Sequence, residues 1–133
     1  MALRFSRRSE RGHYLVEADV GTPMTPEALD EIDTAIVEDA GTTAGLRILY
    51  DMSQVDSGAL TLQDMEEIAR QDNVRWRDGR DTRMAICVGS KVMFGRVRQY
   101  QIVSEPGRAY TVGVFEEKET AENWLRSAAV PDA

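Results

Sequence analysis

Apolar residues recur along this chain at two spacings, the every-second-residue spacing of strands and the three-to-four-residue spacing of helices. In residues 3–8 and 12–20, apolar and polar side chains alternate, which is typical of strands with one buried face. The break at residues 10–12 between these segments predicts a hairpin turn. The remaining chain alternates between helical spacing and short apolar runs, which predicts helices and buried strands in turn.

The first helix has clear signals at both ends. Thr25 is a suitable N-cap, and Pro26 suits the first helical position, where its missing N–H has no cost. Leu29 and Ile36 belong to an apolar stripe at helical spacing, and Gly41 predicts the end of the helix.

Three more strands and three more helices are predicted to follow in alternation. The strands are expected at residues 46–52, 84–88 and 109–115, and the helices are expected to begin at a Thr61–Asp64 capping box, after a Ser90 cap and at Glu119. Because strands separated by helices need crossover connections, we expect them to lie parallel. The prediction is an α/β fold: a mixed, mostly parallel sheet of about five strands, about four helices and an antiparallel N-terminal hairpin.

Composition fits one globular domain over residues 1–133. Apolar residues make up 42% and charged residues 29% of the 133 positions, an ordinary globular balance. No apolar run approaches the roughly 20 residues that a membrane span needs, and no apolar stretch follows the N-terminal arginines as in a signal peptide. The single cysteine, Cys87, excludes an internal disulfide and agrees with a reducing compartment. We therefore expect a cytoplasmic protein.

Charge argues against a nucleic-acid partner. The net charge is −7, whereas phosphate contacts require clustered basic residues. Residues 21–69 hold 11 acidic and 1 basic side chains, and residues 70–108 hold 9 basic and 4 acidic ones. This asymmetry can steer a protein partner, or it can simply reflect solvated helix surfaces. We assign the acids of the first helix to such a solvated face: Glu27, Asp30, Glu31, Asp33, Glu38 and Asp39.

No catalytic set can be assembled from the sequence. One histidine, His13, and one cysteine are too few for a transition-metal site, so we expect neither a metal nor another cofactor. Cys87 falls within a predicted buried strand, and no serine lies in a Gly-x-Ser-x-Gly elbow. Carboxylates in a cleft can still act in catalysis, but the expectation is a protein that is not an enzyme.

Two segments after predicted strands could bind a phosphoryl group or another anion. Gly89 to Arg96 has its second glycine one place too late for a nucleotide loop, which leaves a weaker anion site at Ser90 and Lys91. The other segment is the loop after the strand at residues 46–52; its candidate residues are Asp51, Ser53, Asp56, Ser57 and Gly58. They are either ordinary turn and capping residues or a regulated phosphorylation site.

Motifs in the second half resemble a known family. These are Phe94-Gly95 with Arg98 and Tyr100, then Val114-Phe115, and a closing helix with an acidic-x-Ala-x-x-Trp-Leu pattern at residues 119–125. Together with the strand and loop at residues 49–55, they resemble the SpoIIAA-like family, whose STAS fold is shared with bacterial anti-sigma factor antagonists.

The resemblance implies a regulatory or protein-interaction module that binds a protein partner such as a kinase or a regulator. In the antagonists, a kinase phosphorylates a serine in an Asp-Ser-Ser-Gly-Leu loop. Asp56-Ser57-Gly58 is similar, so Ser57 is the first candidate acceptor and Ser53 the second. Here the loop is shorter after Val55, and a single serine immediately precedes Gly58.

The family is also similar to CRAL-TRIO lipid-transfer domains, which implies an alternative function as carrier of a small apolar or lipid ligand. The side chains predicted to line such a cavity are those of Met52, Met65, Trp76, Met84, Met93 and Phe94. These same residues could instead be ordinary core. The opening edge strand also offers a template for homodimer formation.

Overall fold

The computed structural model of the protein describes residues 3–8, 12–22, 24–55 and 60–127. The elements in chain order are β1 (Leu3–Arg7), β2 (His13–Ala18), α1 (Pro26–Ala40), β3 (Arg47–Met52), α2 (Leu62–Arg75), β4 (Arg83–Val88), α3 (Lys91–Ser104), β5 (Thr111–Phe115) and α4 (Lys118–Arg126). The predicted order of strands and helices is confirmed. The tip of the predicted hairpin, at residues 10 and 11, lies outside the described residues.

The five strands form one sheet in the order β1-β2-β3-β4-β5. β1 pairs with β2 in antiparallel fashion, and all the other neighbours are parallel, as predicted. Each parallel pair is consecutive in the chain and is joined through a helix. The three crossovers all step in the same direction across the sheet, from β2 to β5. Since such connections are right-handed, their helices α1, α2 and α3 lie on the same face of the sheet. α4 packs against the opposite side.

Two apolar clusters hold these layers together. The larger one lies between the sheet and the three crossover helices, and includes Ile36 from α1 and Ile48 from β3. The smaller one lies under α4, where Ala121 and Leu125 pack on the other face of the central strands; its sheet residues are Leu49, Ala85 and Cys87. Burial on both faces explains why β3 and β4 appear in the sequence as continuous apolar runs.

The first three helices begin at the caps that the sequence predicted, whereas α4 begins at Lys118, one residue before the predicted Glu119. The Thr25 hydroxyl accepts a hydrogen bond from the N–H of Ala28 at 3.0 Å, and Gly41 ends α1 with a left-handed φ of 73°. The Thr61 hydroxyl accepts a hydrogen bond from the Asp64 N–H, and the Asp64 carboxylate accepts one from the Thr61 N–H. The predicted capping box is therefore present. Over the described residues, no helix is both long enough and apolar enough to cross a bilayer.

The loops that follow β3 and β4 touch each other at the carboxyl edge of the sheet. Gly89 comes so close to the backbone of Ser53 that a Cβ atom at position 89 would overlap the Ser53 carbonyl oxygen. Glycine is therefore required at position 89 for steric reasons, and the contact places the loop containing Ser53 directly beside the Ser90 cap of α3.

We predict that Gly89→Ala lowers the free energy of unfolding by about 1–3 kcal/mol, because the methyl group forces the two loops apart. The matched control is Gly95→Ala. Gly95 is an exposed residue in α3 with open space around its Cα, so this change should stabilise the protein by about 0.5–1 kcal/mol. Urea unfolding of both variants measures the difference, and wild-type stability of Gly89→Ala would contradict the steric argument.

Candidate functional site

The first candidate site is the turn that follows β3. One oxygen of Asp51, Oδ1, accepts hydrogen bonds from the Ser53 N–H at 3.2 Å and from the Ser53 hydroxyl at 2.7 Å. Ser53 is exposed. The Asp51 side chain thus closes a turn with Ser53. For these two residues, the structure agrees with the interpretation as ordinary turn residues. Asp56, Ser57 and Gly58 lie outside the described residues.

The proposed anion site lies at the same edge of the sheet. The Ser90 hydroxyl accepts a hydrogen bond from the N–H of Met93 at 3.1 Å and so caps α3. The ammonium group of Lys91 lies 3.0 Å from a carboxylate oxygen of Glu116. Both residues thus already have partners within the chain. An anion would have to compete with the Glu116 carboxylate for Lys91.

A second lysine lies near the turn after β3. The ammonium group of Lys118, at the start of α4, is 3.7 Å from the other oxygen of Asp51. A phosphoryl group on Ser53 would add about 1.5 to 2 negative charges next to the Asp51 carboxylate. It would therefore repel Asp51 and attract Lys118, which would break the turn as the structure has it.

A second candidate site is a cavity of about 60 Å³ between the sheet and helices α1, α2 and α3. Four of the methionines that the sequence predicted for such a cavity line it, namely Met52, Met65, Met84 and Met93, and Met24, which was not predicted, lines it as well. Trp76 and Phe94, which were also predicted, do not line it: Trp76 is fully buried elsewhere in the core, and Phe94 is half-buried.

Two buried carboxylates also line this cavity. Asp33 on α1 is 2% exposed and Asp72 on α2 is 6% exposed. The Tyr50 hydroxyl donates a hydrogen bond to Asp33 Oδ1 at 2.8 Å, and the Tyr100 hydroxyl donates to Asp72 Oδ2 at 2.7 Å. Each acid thus has a neutral donor that satisfies part of its hydrogen-bonding capacity in an otherwise apolar layer.

The assignment of Asp33 to a solvated helix face is therefore wrong. Asp33 lies three residues before the buried Ile36 and seven after the buried Pro26, so it shares their side of α1. This spacing was the signal in the sequence that could have identified it. Asp72 was not predicted as a site residue, although it lies four residues after the buried Ile68 on α2.

The cation beside this pair, among the described residues, is Arg75. Its guanidinium group forms an ion pair with Asp30 on α1 and lies 3.8 Å from Asp72 Oδ1. On the other side of the cluster, the Tyr100 hydroxyl lies 3.1 Å from that of Tyr110. These contacts form a network that runs from Asp30 on α1 through α2 and α3 to the segment before β5, and the Asp33–Tyr50 pair lines the same cavity as Asp72.

Burial dominates the acid–base behaviour of the network. Desolvation raises the pKa of Asp72 to about 6, although the hydrogen bond from Tyr100 and the charge of Arg75 partly oppose it. Desolvation also raises the pKa of Asp33 well above its usual value, and the nearby charge of Asp72 raises it further. The pKa values of Tyr50 and Tyr100 are raised mainly by burial, so both hydroxyls stay protonated donors.

The remaining reactive group is the thiol of Cys87, which is buried under α4. Burial, and then the charge of Asp51, raises the pKa of this thiol, so it stays protonated and is a poor nucleophile at neutral pH. Within the part of the chain that the structure describes, no three His, Cys, Asp or Glu side chains are grouped to hold a metal ion.

We predict that the protein loses stability as the pH rises from about 4 through 6, because the folded state binds protons at Asp72 and Asp33 that the unfolded chain has released. Over this pH interval, Asp72 should account for a decrease in the free energy of unfolding on the order of 1–3 kcal/mol. The isosteric variant Asp72→Asn should not show this decrease. Glu66→Gln, at an exposed acid on the same helix, is the control and should keep the wild-type slope. Urea unfolding at a series of pH values measures both, and an unchanged slope in Asp72→Asn would contradict the prediction.

Comparison with family models and with curated proteins found no match. Among solved structures, the chain is similar to an uncharacterized protein from the DUF3478 family with a SpoIIAA-like fold, from Shewanella loihica PV-4. The two are 18% identical, the superposition covers 93% of this chain and 92% of the other, and the TM-score is 0.59. At this identity the likeness concerns the fold. The chain therefore has the SpoIIAA-like fold that its sequence motifs predicted.

Proposed function

We propose that the chain is a non-enzymatic regulatory or protein-interaction module of the STAS type that acts in the cytoplasm. The observation that carries this proposal is the carboxyl edge of the sheet, where the loops after β3 and β4 meet and the Ser53 hydroxyl is exposed. Ligands of parallel α/β sheets bind at that edge. The SpoIIAA-like fold supports the same assignment.

A phosphoryl group is the modification that this edge would respond to most strongly. Ser57 remains the first candidate acceptor by its resemblance to the antagonists, and Ser53 is the second. At Ser53, the modification would replace a hydrogen bond to Asp51 with charge repulsion. The surface offered to a protein partner would therefore differ between the two states.

The placement of the reactive groups supports binding rather than catalysis in this proposal. Cys87 is buried as a thiol under α4, and Asp33 and Asp72 accept hydrogen bonds from tyrosine hydroxyls inside the larger core. All three groups are buried, although Cys87 lies beside Asp51 of the edge as its cross-strand neighbour. In this proposal, the edge acts through its shape and charge.

We expect the wild-type chain to retain a protein partner from its native cytosol, and Ser57→Asp or Ser53→Asp to retain at least tenfold less of it, because the added charge mimics the modified state. Ser127→Asp is the charge-matched control, since Ser127 is exposed after α4 and far in sequence from this edge. Quantitative mass spectrometry of the captured protein measures retention, and phosphopeptide mapping of the native chain tests the acceptor. If no partner is retained, or if the three variants behave alike, the proposal is wrong.

Homodimer formation belongs to the same proposal. β1 is an edge strand of the sheet, so its outer side can pair with a second copy. The charged side chains of Arg4 and Arg7 on this strand oppose such pairing. Light scattering on the purified chain gives the mass in solution.

A second candidate function is the carriage of a small apolar ligand, and the methionine-lined cavity is the observation that favours it. Thioether side chains adapt their shape to irregular ligands. The cavity is smaller than a typical ligand pocket of roughly 300–1,000 Å³, so a ligand would enter only as the methionines change rotamer. Occupancy would therefore be visible directly at the methionine methyl groups.

For this second function we predict that n-butanol shifts the methyl NMR signals of Met52, Met65 and Met84. Val97→Met should abolish the shifts, because Val97 lines the cavity and a larger side chain would fill it. Val74→Met, at an exposed position of α2, is the matched control and should bind butanol as the wild type does. Unperturbed methionine signals in the wild type would exclude this function.

A further inference from the structure

We propose that the ligand of the cavity is a small alkylammonium compound, whose apolar tail contacts the methionines and whose amino group reaches the pair formed by Asp33 and Asp72. This inference rests on the second candidate function, because it names the chemistry of the ligand that the cavity would take. It assigns the two acids a ligand-binding role in addition to their hydrogen bonds with Tyr50 and Tyr100, and the regulatory function does not require that role.

The composition of the cavity wall is the first step in this argument. Of the 14 lining residues, four carry polar groups, and these are Asp33, Tyr50, Asp72 and Tyr100. All the others are aliphatic or methionine side chains. The wall therefore combines an apolar surface with one set of convergent polar groups, as is usual in sites for amphipathic small molecules.

The charge balance of the polar groups is the second step. Three carboxylates, those of Asp30, Asp33 and Asp72, face the single guanidinium of Arg75. Arg75 forms an ion pair with the half-exposed Asp30 and a longer one, at 3.8 Å, with Asp72, and it also donates a hydrogen bond to Thr34 at 3.2 Å. If the two cavity acids are ionised, the cluster carries an excess of negative charge, which a cationic ligand would neutralise.

The cost of burying these acids is the third step. An ionised carboxylate in an apolar layer is stable only when paired, and otherwise it takes up a proton. Burial raises the pKa of both acids, so the charged carboxylates in the cavity wall are less stable relative to their protonated forms than they would be in water. An ammonium group between Asp33 and Asp72 would supply the missing counter-charge and favour their ionised forms.

Hydrogen-bond geometry narrows the class of cation. Tyr50 and Tyr100 each donate to one oxygen of their acid, and an ionised carboxylate has about four acceptor sites, so capacity remains. A primary ammonium is compact and donates three hydrogen bonds, which suits two carboxylates in the wall of a cavity of about 60 Å³. A guanidinium group is planar and larger, and the wall lacks the oxygen-rich shell that a hard metal cation requires.

The test compares n-butylamine, which is a cation at neutral pH, with n-butanol, which has the same tail and no charge. Both are titrated into the full chain carrying isotope-labelled methionine methyl groups. We expect n-butylamine to bind at least tenfold more tightly than n-butanol. Asp33→Asn should reduce this preference to less than threefold, because asparagine carries no charge, and the fold should be kept because asparagine can still accept the hydrogen bond from Tyr50.

The control variant is Glu31→Gln, which removes an exposed acid from the same helix and changes the net charge equally. It should keep the full preference for the amine. If Asp33→Asn does not fold, as judged from the dispersion of its NMR spectrum, Asp72→Asn replaces it in the same comparison. If n-butylamine and n-butanol bind the wild type equally, the inference is contradicted without any variant.

The outcomes separate this inference from the function on which it rests. If the amine and the alcohol bind equally, the cavity takes apolar ligands and the assignment of an amino group is wrong. If neither probe binds, both the carrier function and this inference are wrong. If Asp33→Asn and Asp72→Asn both keep the preference, or if Glu31→Gln loses it, the charge acts from a distance and the assigned contact is wrong.

Discussion

The central strands of the sheet, β3 and β4, must be covered on both faces, and the other layers follow from this constraint. Three crossover helices cover one face because consecutive parallel strands are joined by right-handed connections. α4 then has to cover the second face, where Leu49 and Ala85 would otherwise be exposed. A chain of this length can cover both faces of its sheet because the single nine-residue helix α4 suffices for the face that carries the smaller apolar cluster.

Burial of β3 also brings a polar group into the core. Tyr50 points into the larger cluster, and its hydroxyl needs a partner there, which Asp33 provides from α1. Tyr100 and Asp72 repeat the arrangement between α3 and α2. These pairs fix how the three helices lie relative to one another and to the sheet, since a shifted helix would leave a buried acid or hydroxyl unpaired.

The two candidate sites meet in one short segment at the end of β3. Met52, the last residue of β3, lines the cavity, and Ser53 next to it forms the exposed turn with Asp51. The backbone of Ser53 is in turn held against Gly89. The cavity and the edge proposed for a protein partner thus meet within three consecutive residues, Asp51, Met52 and Ser53, so a change of the Met52 rotamer would occur directly beside that edge.

The sequence by itself determined the features whose causes are local. The caps at Thr25, Thr61 and Ser90 each depend on a hydrogen bond to the backbone three residues later, so the order of elements could be predicted. The tertiary structure alone decided the fate of Asp33, whose partner Tyr50 is 17 residues away on a strand. It also decided that the methionines leave a cavity and that Trp76 packs elsewhere. The physical reason is that an acid on a helix has the same local sequence pattern whether it faces water or a hydroxyl from a distant element, and only the packed chain distinguishes the two.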